Sequence, residues 1–438
     1  MLNAENELKK WQPVLEHADA PAIGDSYKKA VTAKLLENTE KALQEERAHS
    51  SFSLTEDASS NTTASITGTG SFDPILISLV RRAMPNLIAY DVGGVQPMSG
   101  PTGLIFAMKA RFGNSAGAAI ANTSTEAFAS EPDTDFSGSG LELDSPIVNH
   151  SGSIETLFDS PLGTPTTGEG VSTAAAEGTE TFNEMGFTID KTTVTAKTRQ
   201  LKAEYSMELA QDLKAVHGLD AESELANILS GEILAEINRE VIRKIVATSV
   251  VGAQQTGLTK AGLFDLASDA DGRWAVEKFQ SLIFQIEQEA NGIAKDTRRG
   301  KGNFVICSSN VASALAATGG LTFKGGEGLN VDDMGNTFAG TLTGGLKVYV
   351  DPYATGDYAT VGYKGTNAYD AGIFYCPYVP LTMVRAVGEN SFQPKIAFKT
   401  RYGLVANPLI ADTGSVSGTP GSNVYYRSFG VKSINING

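Results

Sequence analysis

The chain has 438 residues, of which 41% are hydrophobic and 8% aromatic, with a net charge of −15. That length allows two or three domains with a sizeable core. No run of about 18 apolar residues is present, so no membrane-spanning helix is expected, and the acidic balance excludes a protein built to grip nucleic acid through a basic stripe. The start, Met1-Leu2-Asn3-Ala4-Glu5, lacks the basic and apolar regions of a secretory signal.

Residues 1–48 are charged and helical in pattern. Ser26 is placed to cap a helix carrying Tyr27, Val31, Leu35 and Leu36 at helical spacing, with a very polar far end at Glu37, Glu40, Lys41, Glu45 and Glu46. Residues 50–73 turn to Ser, Thr and Gly and read as an extended arm. A short helix is predicted over 75–84, before Pro85. Residues 104–112 read as a strand. The stretch 113–183 is dominated by Gly, Ser, Thr and Ala and predicts a projecting loop. Strand character returns over 187–196, so the two flanking strands are expected to form one long hairpin with the biased stretch at its tip.

The strongest helix signal covers 221–247. Leu225, Leu229, Ile233, Ile237, Val241 and Ile245 recur every four residues, giving a helix of about 40 Å. A second amphipathic helix is predicted over 274–293. Residues 303–390 alternate short apolar runs with Gly-rich turns: strands at 303–308, 346–350 and 371–375 and a helix at 309–318, the pattern of a separate α/β unit. A last long strand is expected at 396–405, followed by a polar tail. The two cysteines, Cys307 and Cys376, sit in apolar runs and read as buried reduced thiols, while a bridge between them is an alternative that spacing does not decide.

Candidate chemistry is thin. Gly113-Asn114-Ser115-Ala116-Gly117 matches the nucleophile elbow of serine hydrolases, which needs a helix after the turn and an acid and a His later in the chain. The following residues make a poor helix, and only His150 and His217 are available as bases. Asp269-Ala270-Asp271-Gly272 resembles a calcium loop, but with Gly272 at the sixth position Ala267 and Lys278 fall where acidic donors are required. A capped turn before the helix at Trp274 accounts for it better. The four histidines (His17, His49, His150, His217) share no metal-ligand spacing, and no phosphate loop occurs. No basic run is longer than Arg298-Arg299-Gly300-Lys301. No catalytic residue, cofactor or metal is therefore expected, and projecting parts without a site point to assembly.

Long strings then carry a resemblance. Trp11-Gln12-Pro13-Val14-Leu15-Glu16, Leu79–Asp91, Gly94–Gly103, Val194–Lys197, Leu201–Tyr205, Glu208–Leu213, Ala235–Glu240 and Lys399–Gly403 with Ala406-Asn407-Pro408 closely resemble the major capsid proteins of T-even-type contractile-tailed bacteriophages. The resemblance implies an α+β fold of the Hong Kong 97 type. Its parts would be a helical amino-terminal extension (1–56), an arm (57–103), an extended hairpin loop (104–196) and a peripheral domain with a long spine helix (197–294). An axial domain (295–390) and a return strand with a C-terminal tail (391–438) would complete it. Relatives carry a folded insertion where residues 113–183 stand. The low aromatic content there predicts a reduced one.

The implied function is a structural subunit of an icosahedral or prolate head. It would assemble with its own copies into hexameric capsomers in the host cytoplasm and end in the virion. The implied partners are a vertex capsid protein, portal, scaffold core, prohead protease and decoration proteins. Double-stranded DNA would be enclosed without tight binding. Relatives are trimmed by the protease after Glu in a Leu/Ile-x-Glu context, which makes Leu54-Thr55-Glu56-Asp57 the expected cleavage site. The rival readings are the paralogous pentameric vertex protein, a cellular nanocompartment shell, and a serine hydrolase built on Ser115.

Overall fold

The computed structural model describes residues 2–16, 23, 25–50, 87–113, 126–128, 136–137, 171–178, 183–255, 258–319, 321–322, 330–331, 337–367, 369–387, 393–406 and 421–434. In chain order these form α1 (Leu2–Leu15), α2 (Ser26–Ser50), α3 (Ala89–Val92), β1 (Gly94–Val95), β2 (Thr102–Phe112), α4 (Thr173–Gly178), β3 (Met185–Thr195), β4 (Lys197–Glu204), α5 (Met207–Val216) and α6 (Ala221–Thr248). Then follow β5 (Ser249–Val251), β6 (Leu263–Asp265), α7 (Ala275–Thr297), β7 (Phe304–Ser308), α8 (Ser309–Ala317), β8 (Leu321–Thr322), β9 (Asn330–Val331), β10 (Thr337–Leu342) and β11 (Lys347–Asp351). The chain closes with β12 (Tyr358–Gly362), β13 (Ile373–Val387), β14 (Pro394–Ala406) and β15 (Asn423–Lys432).

Strand pairing sorts these elements into two large sheets and a ribbon. The larger sheet runs β5-β15-β12-β7-β11-β10-β8, with β6 on β15 and β9 on β10. Its centre, β7, reads Phe304-Val305-Ile306-Cys307-Ser308 and is buried throughout, as a strand covered on both faces must be. Alternation divides its side chains. Val305 and Cys307 join a core with Leu282, Ile286 and Ile293 of α7 and Val311 and Leu315 of α8. Phe304 and Ile306 point the other way, into a core shared with Ile233, Ile237 and Ile245 of α6. Gly362 of β12 lets the Phe304 and Tyr426 rings approach, because a Cβ there would lie 2.3 Å from Phe304 Cζ. Glu289 of α7, almost wholly buried, fastens that helix to the sheet. It accepts from the Ala253 N–H at 2.7 Å and from Arg427 Nη1 of β15 at 3.2 Å.

The smaller sheet is β1-β13-β14-β4, and α6 packs on β4 and β14. The helices predicted at 221–247, 274–293 and 309–318 and the strands at 104–112, 187–196, 303–308, 346–350 and 396–405 are all present, within a few residues at each end. Both cysteines are free and buried. Burial pushes each thiol up to about 12.

Three features depart from the sequence reading. The border expected at 294/295 does not separate the sheets: β5, β6 and α7 belong with the larger one, whereas β13 crosses to pair with β14 in the smaller. The expected polar tail contains β15, which lies between β5 and β12. Its Tyr425, Tyr426, Phe429 and Val431 are buried, and intervening polar residues disguised the strand. The charged extension is two helices, and it is packed rather than separate: Trp11, Leu15, Val31, Leu35 and Leu36 lie in the same core as α6.

Candidate assembly surfaces

β2 and β3 form a two-stranded ribbon paired from Thr102↔Thr195 to Phe112↔Met185. Residues opposite one another share a face. One face carries Leu104, Phe106, Met108, Phe187 and Ile189, exposed by 52, 63, 71, 67 and 59%. The opposite face carries Ile105, Lys109, Arg111 and Thr188, all buried. There the Lys109 ammonium lies 3.6 Å from Glu126, and Arg111 Nε donates to Thr188 Oγ1 at 2.9 Å. The ribbon is therefore covered on its cationic side and bare on its apolar side. An isolated hairpin with a large bare apolar face is the mark of a protein contact surface.

The ribbon's base is anchored to the body. Lys197–Glu204 follows β3 directly and pairs with β14. Arg199 of that strand donates to Glu236 at 2.8 Å and Glu240 at 2.5 Å on α6, and its Nε donates to the Tyr402 hydroxyl of β14. Tyr402 donates in turn to Glu240. Burial alone would lower the guanidinium's affinity for its proton, but the hydrogen bonds to Glu240 and Tyr402 raise it. Burial, then the contact with Glu240, pushes the Tyr402 phenol above its ordinary range. Arg239, on the same helix, pairs with Asp351 of β11 and so braces α6 against the larger sheet.

A second apolar surface lies at the start of α6. Helix α5 has no buried residue and exposes Met207, Leu209 and Val216, with Leu219 and Ile228 close by in sequence. Glu208, Asp212, Asp220, Glu222 and Glu224 make this region acidic.

Leu54, Thr55, Glu56 and Asp57, Ser115 of the elbow-like match, His150, and most of 113–183 lie outside the described residues. Gly272 adopts a positive φ before α7, and Glu277 caps that helix by accepting from the Arg273 N–H at 2.8 Å and the Trp274 N–H at 3.3 Å. This is the capped turn expected there. Among the described residues no group of three or more His, Cys, Asp or Glu is placed to hold a metal, and no helix is long and apolar enough to cross a membrane. Two of the three cations in the longest basic run are paired with acids: Arg299 with Asp370 at 3.2 Å, and Lys301 with Glu287. Sequence reasoning missed which face of the ribbon is bare. Residues 104–108 are apolar on both alternating sets, so only the register and the covering of the other face decide it.

What these parts define is a structural subunit, a braced scaffold that holds out surfaces for other protein. Residues 69–431 match the family described as Major capsid protein Gp23, and the chain belongs to that family. It is 43% identical to the major capsid protein of Salmonella phage ViI over 425 residues, covering 93% of this chain and 91% of that one. Against the major capsid protein of Enterobacteria phage T4 it is 40% identical over 519 residues, covering 98% of each. The capsid vertex protein of the same T4 phage is 31% identical over 256 residues, covering 55% of this chain and 57% of that one. Near-complete coverage places the chain with the major capsid proteins and not with the vertex paralogue. It is a structural subunit of a tailed-phage head shell and not an enzyme.

Proposed function

We propose that copies of this chain form hexameric capsomers in a Hong Kong 97-type lattice, and that these close into an icosahedral or prolate head. In this reading α6 and the smaller sheet are the peripheral unit. The larger sheet is the axial unit meeting at capsomer centres, and the β2–β3 ribbon overlaps a neighbouring copy. The observation that carries it is the bare apolar face of a ribbon whose base is locked to α6. Many modest contacts of this kind, repeated by symmetry, hold a shell far more strongly than any one of them.

The likeness to the T4 capsid vertex protein supports a related subunit as the partner at fivefold corners. Scaffold core, portal, prohead protease and decoration proteins are further partners, met in the host cytoplasm before the virion is complete. The protease cuts between Glu56 and Asp57. The alignment with the T4 relative runs over 519 positions against 438 residues here, so that relative holds stretches this chain lacks. We assign the difference to a reduced insertion within 113–183. The net charge of −15 and the pairing of Arg299 and Lys301 with acids favour a wall that encloses DNA without gripping it.

Electron microscopy of the purified protein tests the reading. Hexameric capsomers or closed shells are the expected result. Pentamers alone would assign it the vertex role instead, and monomers at every concentration would remove the lattice reading.

A further inference from the structure

The body of the chain presents a fitted surface to its own first two helices. That surface consists of β13, against which α2 packs, and the Asp91–Met98 stretch, which meets side chains of α2. Leu35 and Leu36 of α2 are buried there, in one core with Leu87, Ile88, Tyr90 and Val95. One polar residue is set into this apolar contact. Asn38 is 5% exposed, and its side-chain amide donates to the Met98 carbonyl at 2.8 Å and to the Tyr378 carbonyl at 2.9 Å. A single amide thus satisfies two carbonyls from separate segments of the body. At the near end of α2 the Tyr27 hydroxyl donates to the Val95 carbonyl, and the Lys28 ammonium lies 3.5 Å from Asp91. Apolar contact alone tolerates sliding, whereas buried donors fix one register because a shifted helix leaves them unpaired. Helix α1 is held on α2 by Trp11 and Leu15 and by the pairing of Lys34 with Glu7 at 2.7 Å and Lys10 with Glu37 at 2.9 Å.

We infer that this face is a helix-receiving surface that holds the α1–α2 pair by its own contacts, so that severing the chain between them leaves the pair bound. The covalent connection then contributes proximity and little else. Cutting and departure become separate events, and a single cut is permissive rather than sufficient. Departure leaves the carbonyls of Val95, Met98 and Tyr378 without these donors. Loss of the extension and availability of this face are therefore one change.

The test uses the full chain with a glycine–serine spacer, carrying the recognition sequence of a site-specific protease, inserted after Glu56. Digestion is taken to completion on a denaturing gel, and the product is run on a sizing column and by native mass spectrometry. The expected result is a one-to-one complex of the 1–56 fragment with the remainder. Asn38→Asp, which keeps size but exchanges amide donors for acceptors, should raise the dissociation constant roughly tenfold or more. Lys41→Ala, at an exposed position of α2, should leave it unchanged. A fragment that separates from the remainder on cutting, or one retained equally by the Asn38 and Lys41 variants, overturns the inference. Because the cut is engineered, neither outcome depends on where a phage protease acts, and the proposed Glu56 processing stands or falls by its own experiment.

Discussion

Asp351, the last residue of β11, is almost wholly buried and accepts the guanidinium of Arg239 from α6 across the seam between the two sheets. The same carboxylate accepts from the Tyr358 hydroxyl at 2.7 Å and the Tyr353 N–H at 3.0 Å. Removing it strands a cation and two donors in a largely covered place. Asp351→Ala should lower the unfolding free energy by about 3 kcal/mol, near the lower end for a broken buried pair because Arg239 keeps some solvent. Tyr358→Phe should cost about 1 kcal/mol. Urea denaturation of the purified subunit measures both, and equal small losses would show that the seam does not depend on this carboxylate.

The ribbon separates folding from assembly. Phe106→Asp and Phe187→Asp place charges on a face that solvent already reaches, so subunit stability should shift by no more than about 0.5 kcal/mol. Capsomers and shells should be lost, since burying an unpaired carboxylate against a neighbour is costly. Electron microscopy beside thermal unfolding of the same samples gives both readouts. Normal shells from the double variant would show that this face is not an interface.

Processing has its own signature. Amino-terminal sequencing of mature particles should begin at Asp57. Glu56→Gln keeps the side chain's size but removes its charge, so protease recognition should fall while the subunit folds normally. Mature particles that begin near Met1 would make the extension a permanent part of the wall.

The two thiols predict an alkaline limit. Burial raises each from its ordinary value of 9.0 to about 12. Below pH 9 both the folded and unfolded chains hold these protons, and the thiols add no pH dependence. Between pH 9 and about 12 the unfolded chain loses them while the folded chain keeps them. Stability should therefore fall as pH rises, by up to about 1.4 kcal/mol per pH unit for each thiol. Replacing both cysteines by alanine should flatten that part of the curve in denaturant titrations, and an unchanged slope would assign it to other groups. Thiol reagents should label the native protein only as fast as it opens.

An acidic subunit with Arg299 and Lys301 of its longest basic run paired should bind random duplex DNA more weakly than micromolar at physiological salt. Filter binding across a salt series checks this. Tight binding with a steep salt slope would reveal a phosphate-contacting surface.

The sequence disclosed what periodicity encodes. The four-residue recurrence from Leu225 to Ile245 located α6, and the apolar strings at 104–112 and 187–196 located the ribbon's strands. Partner choice was less legible. Nothing local in Ile373–Val387 says that this strand leaves the neighbouring α/β elements and pairs with 394–406, because register is decided by which edges remain open. β15 was hidden because Asn423, Arg427 and Ser428 carry polar side chains that find partners only in the folded sheet: Gly372, Glu289 and Ser249. The docking of α2 was hidden similarly. Thr32 and Thr39 are polar and stand outside the apolar spacing of Val31, Leu35 and Leu36, yet each is buried with its hydroxyl donating to a carbonyl one helical turn earlier.

The position of β15 has a consequence during synthesis. It is the last described strand to be made, yet it fills the gap between β5 and β12 and carries β6 on the β5 side. Until residue 432 is available, β12 and β5 both present open edges, and the larger sheet can close only through contacts far apart along the chain. A ribosome that stops early thus releases a subunit that cannot finish its own sheet and is marked by exposed strand edges for aggregation or degradation. A lattice that repeats one subunit many times over is sensitive to defective copies, and this strand order withholds the competent shape until residue 432 has been made.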